Sequence, residues 1–348
     1  MNYIITCDIL IVETGALATR DVYETRNEGR DRKPYSEKVA GVSREGDGQE
    51  THDLEINGRC FGVELRALDE SQINVLITLV NEVFADYPIP VRWTAQDFHL
   101  DILENGISLK DSFILWEGPE PVGFIVVGIR DKLARIDAMG VKVSVRGTEA
   151  SDFLFQNCVE NLKWRKISTI QLEVLDSEKR AVRFYEKRGF LVTRKLNAYR
   201  VSVNPNLSHR LLYRESTAKA ISELALEAQT SFSRKLNWQR VPISFHHATG
   251  RYRMEAVYSE RSSAQPLGFV IWGENEDNFY IVDCYRLSTD IELIDLVHDI
   301  FLYIEDKTRK MDGVISNLPE DDKLSEVFSL LGGEQIFSQL EMELKLRV

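Results

Sequence analysis

The sequence predicts an α/β chain of the α+β kind, built as two tandem units that each hold a mixed, mostly antiparallel sheet flanked by helices. Three observations lead there. Strand and helix patterns follow one another as β-α-α-β-β-β-α-β-α-β over about residues 60–203, an order that puts helices on both sides of a sheet. Two stretches recur at a nearly constant offset. Pro121-Val122-Gly123-Phe124-Ile125-Val126-Val127-Gly128 returns as Pro266-Leu267-Gly268-Phe269-Val270-Ile271-Trp272-Gly273, and 266 − 121 = 145. More faintly, Phe184-Tyr185-Glu186-Lys187-Arg188-Gly189-Phe190 returns as Val327-Phe328-Ser329-Leu330-Leu331-Gly332-Gly333, and 332 − 189 = 143. The third observation is length: 348 residues can bury two cores. Subtracting the offset starts the second unit near residue 205, at Asn204-Pro205-Asn206. The expected division is an extension over 1–59, a first unit over 60–203 and a second over 206–348.

The elements follow in order. Tyr3 to Val12 is apolar but too short to span a membrane, lacks a basic start and carries Asp8, so it reads as a strand or an extension. Tyr23 to Asp53 is heavily charged, with few large apolar side chains, and reads as a flexible leader. Order begins with the alternating strand Phe61 to Arg66. Ser71 is placed to cap a helix whose apolar face is Ile73, Leu76, Ile77, Val80 and Phe84. Tyr87-Pro88-Ile89-Pro90 breaks the chain, and Thr94 starts a second helix ending near Gly106. Strands are expected at Ser112–Trp116, Val122–Gly128 and Ala134–Val145, then a helix with Phe155, Cys158, Val159 and Leu162 on one face. The strand Ile167–Leu175, the helix Glu178–Arg188 and the strand Phe190–Val201 complete the unit.

Composition narrows the function. A net charge of −12 argues against a general nucleic-acid binder. Cys7, Cys60, Cys158 and Cys284 form no C-x-x-C pair, which fits reduced thiols in a cytoplasmic setting better than disulfides or zinc. His246-His247 cannot converge on a metal as sequence neighbours, so no metal is expected.

Val141-Lys142-Val143-Ser144-Val145-Arg146-Gly147-Thr148-Glu149-Ala150-Ser151 closes a strand and opens a helix. Downstream stand Leu172-Glu173-Val174 and Ala181-Val182-Arg183-Phe184-Tyr185-Glu186-Lys187-Arg188-Gly189-Phe190. Together these segments resemble the two signatures of the GNAT N-acetyltransferase superfamily, and the resemblance covers about residues 60–203. It implies acetyl-CoA as co-substrate and an amine as acceptor, on a small molecule or a protein. Met139, Val141 and Val143 would then offer backbone groups to the pantetheine arm and thioester. Arg146, Gly147, Thr148, Glu149, Ala150 and Ser151 would hold the pyrophosphate, as a loop opening onto a helix N-terminus can. Tyr185 would give its proton to the departing thiolate; the plainer reading is a core aromatic on the face shared by Ala181 and Phe184.

Departures from the pattern matter. Glu149 stands where a glycine is usual, and a carboxylate ~5 Å from a phosphate oxygen would be repelled by roughly 3 kcal/mol, about a hundredfold in affinity. Turned to solvent, the same side chain would only complement the helix dipole. Val143 replaces a common proline, and Glu178 replaces an asparagine. The family's strand carboxylate falls on Arg135, so Asp137, two residues on and on the same face, is the candidate base; the other readings are an ordered water as base and Asp137 as one half of a surface charge pair. In the second unit Ile281 to Ile291 has no glycine and Phe328 replaces the tyrosine, which points to a degenerate copy. Asn237-Trp238-Gln239-Arg240 reads as packing. The expectation is an acetyltransferase; its alternative is a binding or structural protein that kept the fold without turnover.

Overall fold

The computed structural model describes residues 4–5, 49–56, 59–89, 91–203, 208–248, 250–259 and 265–347. The proposed linker 204–206, Pro90 and most of the expected leader lie outside the described residues. The first half runs β1 (Ile4–Ile5), β2 (Gln49–Ile56), β3 (Arg59–Ala67), α1 (Ile73–Val83), α2 (Ala95–Glu104), β4 (Phe113–Glu117), β5 (Glu120–Arg130) and β6 (Leu133–Val141). It continues with α3 (Ala150–Trp164), β7 (Thr169–Leu175), α4 (Lys179–Glu186) and β8 (Leu191–Ser202). The second half runs β9 (Leu212–Glu215), α5 (Ala218–Ser231), α6 (Pro242–His247), β10 (Arg253–Tyr258), β11 (Gly268–Glu274) and β12 (Phe279–Arg286). It ends with α7 (Leu293–Thr308), β13 (Asp312–Pro319), α8 (Lys323–Leu330) and β14 (Glu334–Lys345).

Local chemistry accounts for most of these boundaries. Thr94 caps α2 by accepting from the Asp97 N–H at 3.1 Å. At α1 the cap is not Ser71: Asp69 accepts from the Ser71 N–H at 2.8 Å, because a carboxylate two residues upstream reaches that donor first. Gly189 and Gly332 both sit at positive φ, +88° and +80°, and turn the chain after α4 and α8. β2 covers Gln49–Ile56 and pairs with β3, so the stretch to Asp53 expected as leader ends in a strand.

The described strands join one 14-stranded sheet, in the order β2-β3-β4-β5-β6-β7-β14-β8-β13-β12-β11-β10-β9, with β1 alongside β6. The repeat is visible in the pairing. β5 with β6 shifts register between Val126 and Val127, and β11 with β12 shifts between Ile271 and Trp272, again 145 residues on. β6–β7 and β12–β13 are the parallel pairs in each half. One difference from the sequence reading stands out. β8, expected to close the first unit, does not pair with β7; β14 lies between them, pairing with both. β8 in turn pairs with β13 of the second half. The two closing strands are 12 residues each, so length alone does not say which of them takes the slot beside β7.

Three buried clusters pack against this sheet. One joins α3 and α4 to the first half, one joins α1 and α2 to its other face, and the third belongs to the second half. No described helix is long and apolar enough to cross a membrane.

Candidate active site

The site begins where β6 and β7 part. Their parallel pairing runs from Leu133–Thr169 to Ile136–Leu172 and stops. Asp137 is the extra residue of the β6 bulge, since Val126 pairs with Ala138 and Val127 with Ile136. Past that point β7 keeps its other neighbour, β14, and the inter-strand gap beside Ala138–Val141 is filled at Ala138 and Met139 by β1, which lies against both β6 and β7.

Tyr185 reaches this gap from α4. Its hydroxyl approaches the Met139 sulfur at 3.6 Å, and the ring packs edge-on against Phe155, Phe184 and Phe190. Burial raises its phenol well above the ordinary value, so the proton is held. The expected acid and the expected pantetheine strand are therefore in contact. Met139 and Val141 are buried, whereas Val143 is 68% exposed at the mouth of the loop.

The loop follows as a short 3-10 turn over Val143–Val145, then Gly147 at φ +80°, then α3. Only glycine adopts that φ without strain. Thr148 Oγ1 donates to the Val145 carbonyl at 2.6 Å and accepts from the Ala150 N–H at 3.1 Å. Arg146 ties the loop down, donating to the Val141 and Val83 carbonyls at 3.2 Å each. Ser151 is buried; Glu149 is exposed and makes no capping bond. Asp152 in the first turn is ion-paired with Arg188. The N-terminus of this 15-residue helix thus stands beside a carboxylate, Glu149, that has no ion pair among the described residues. The β6 backbone itself has a partner: β1 pairs antiparallel with it, Ile4 with Met139 and Ile5 with Ala138.

Asp137 is 1% exposed and salt-bridged to Arg135, itself 1% exposed. The structure also buries a carboxyl the sequence reading passed over. Glu173, between Leu172 and Val174 of the α3–α4 core, points to the opposite face and is 2% exposed. There it accepts from Gln239 Nε2 at 2.9 Å and meets Asn237 and Asn317 Nδ2 at 3.5 Å. Burial pushes its carboxyl from 4.5 up to about 7, opposed by the attraction of Arg135. A single polar residue between two apolar ones was its only signal in the sequence. The Asn237–Arg240 segment packs, as expected, but also supplies this polar contact; Trp238 Nε1 donates to the Asn105 carbonyl at 3.0 Å.

The corresponding opening in the second half is bridged. β12 and β13 pair only from Phe279–Gly313 to Ile281–Ile315. Just beyond, the Arg240 guanidinium donates to the carbonyls of Val282 and, at 2.5 Å, Ser316. Arg234 and Arg240 share Asp283, which is fully buried, and Arg234 also holds Asp322. Phe328 lies in the core against Tyr199 and Phe301.

Residues 93–200 match the model of an acetyltransferase (GNAT) domain. The fold is similar to the GCN5-related N-acetyltransferase from Sphaerobacter thermophilus, with a TM-score of 0.60 at 14% identity over 82% of this chain and 96% of that one. It is similar to the GCN5-related N-acetyltransferase from Anabaena variabilis, TM-score 0.56 at 14% identity, covering 81% of this chain and 72% of that one. A tandem GNAT protein from the clavulanic acid biosynthesis pathway gives 0.59 at 13% identity, covering 81% and 98%. At such identities the likeness is one of fold. No curated protein matches the sequence.

Proposed function

We propose that the protein transfers an acetyl or related acyl group from acetyl-CoA to an amine on a small molecule or a protein; the match of residues 93–200 to an acetyltransferase (GNAT) domain model and the GNAT-like fold support this reading. The observation that carries this reading is the Tyr185 hydroxyl beside Met139, on the β6 segment that has lost β7 as a neighbour. The Met139–Val143 backbone would lie along the pantetheine and thioester. The loop from Arg146 to Ser151 would meet the pyrophosphate with its N–H groups, with Arg146 fixing the loop. Attack by a neutral amine forms the C–N bond, the C–S bond breaks, and Tyr185 protonates the thiolate. Asp137 stands at the bulge where the carbonyl would be held. Buried, unpaired thiols and the cysteine spacing support a reducing, cytoplasmic setting.

Two observations favour the alternative of a GNAT-fold protein that binds or braces without turnover: the exposed Glu149 and the β1 backbone on β6. Calorimetry of the full chain with acetyl-CoA, followed by an assay of thiol release, separates them. The enzyme reading expects binding tighter than millimolar and release above the uncatalysed rate. Binding without release selects the alternative. Binding no tighter than millimolar, in the wild type and in Glu149→Gly, overturns both acyl-CoA readings.

A further inference from the structure

We infer that the chain's own N-terminal strand, β1, is a removable occupant of the gap between β6 and β7, and that it must leave before acetyl-CoA can enter. This rests on the acyl-transfer reading above, which lays the pantetheine arm along Met139–Val143. β1 runs antiparallel to β6, with Ile4 opposite Met139 and Ile5 opposite Ala138, and it lies against β7 as well. It completes the sheet just past Ile136–Leu172, where the β6–β7 pairing stops. Met139 is also the residue whose sulfur meets the Tyr185 hydroxyl at 3.6 Å. β1 therefore covers the backbone of the residue that the proposed acid contacts.

Backbone chemistry explains why something has to sit there. β5 pairs with Ala138 and Met139 along one edge of β6, and β14 pairs with Val174 and Leu175 along one edge of β7. The other edges face each other across a slot whose lining residues, Ala138, Met139, Val174 and Leu175, are buried. N–H and C=O groups along such edges need partners, whether from protein, water or ligand. An extended peptide supplies donors and acceptors of the amide kind, and so does a pantetheine arm. The two are rivals for one set of backbone groups.

The two halves seal this opening by unequal means. In the second half, the Arg240 guanidinium bridges the carbonyls of Val282 and Ser316. That guanidinium is buried and paired with Asp283, so withdrawing it would strip a buried carboxylate of one of its two cations. In the first half the seal is 2 residues of strand, held by backbone bonds that are each worth little net. Between Ile5 and Gln49 lie 49 − 5 − 1 = 43 residues, so β1 can leave β6 without drawing β2 off β3. Being part of the same chain, it returns as an intramolecular competitor at any protein concentration. One seal is fixed and the other is reversible.

Calorimetry and hydrogen exchange on the full chain test this, with acetyl-CoA as the probe. Proline has no N–H to give to a ladder, so the double variant Ile4→Pro/Ile5→Pro removes whichever donors β1 uses. It should bind acetyl-CoA about fivefold to a hundredfold more tightly than the wild type, the range that relief from one or two net hydrogen bonds allows. In the wild type, saturating acetyl-CoA should speed deuterium uptake in a peptide spanning residues 2–8, a reading that needs no variant. Acetyl-CoA binding that leaves this uptake unchanged, or a variant affinity within about twofold of the wild type, overturns the proposal and leaves the acyl-transfer reading standing. Binding no tighter than millimolar in both proteins is instead a failure of the acyl-transfer reading, and the proposal falls with it.

Discussion

Asp137 and Glu173 are the first residues of β6 and β7 beyond their last parallel pair, and they are stabilised by different means: one by a guanidinium, the other by amides. An ion pair holds a carboxylate charged. Amides in a dry socket leave it close to balance between its two forms. Of the two, Glu173 is the titrating one, its carboxyl raised by burial to about 7.

The titrating one should register in stability. A carboxyl at about 7 when folded and near 4.5 when unfolded binds more protons in the folded state across that window. Stability contributed by Glu173 thus falls as pH rises from about 4.5 through about 7, and 7 − 4.5 = 2.5 units amounts to roughly 3 kcal/mol. Glu173→Gln should therefore be more stable than the wild type near pH 8, and the two should converge near pH 4. Denaturant melts at both pH values measure the difference.

Tyr185→Phe removes a hydroxyl that donates to the Met139 sulfur at 3.6 Å, a weak contact. Stability should change by less than about 1 kcal/mol and acetyl-CoA affinity by less than about threefold, while turnover drops about 100-fold or more. Full turnover in this variant would remove the proposed acid.

Glu149 is exposed, so solvent and salt screen its repulsion of a pyrophosphate below the hundredfold a fixed contact would cost. Glu149→Gln should tighten acetyl-CoA binding about threefold to tenfold at low salt, and less at high salt. Calorimetry at two ionic strengths reads this.

β1 takes backbone positions on β6 that a pantetheine arm would share. Proline has no N–H to give to a ladder. Ile5→Pro in the full chain should raise acetyl-CoA affinity; unchanged affinity would mean that β1 does not compete.

Because β14 stands between β7 and β8, a fragment of residues 60–203 would leave β7 without that neighbour and β8 without either of its partners. Such a fragment should aggregate or lack fixed aromatic packing, whereas the full chain melts in one transition. Near-ultraviolet circular dichroism and gel filtration decide between this and an independent first unit.

Much of this was legible in the chain itself. Periodicity placed the helices, because burying one face of α1 or α3 demands apolar residues every three or four positions. The repeat at 145 residues carried the shared bulge of β5–β6 and β11–β12, since equal side-chain patterns take equal registers. The Arg146–Ser151 loop and Tyr185 were singled out by a family resemblance, and the structure puts the Tyr185 hydroxyl beside Met139. What the tertiary structure alone decided was pairing across the halves. Sequence does not show that β14 rather than β8 lies beside β7, because two strands of 12 residues each are candidates for one slot and the choice depends on contacts across the halves. Nor does it show that Glu173, unremarkable between Leu172 and Val174, meets Gln239 and Asn317 from 66 and 144 residues away. A carboxyl's chemistry is set by the desolvation and donors around it, and those are supplied by contacts that exist only once the two halves have closed on each other.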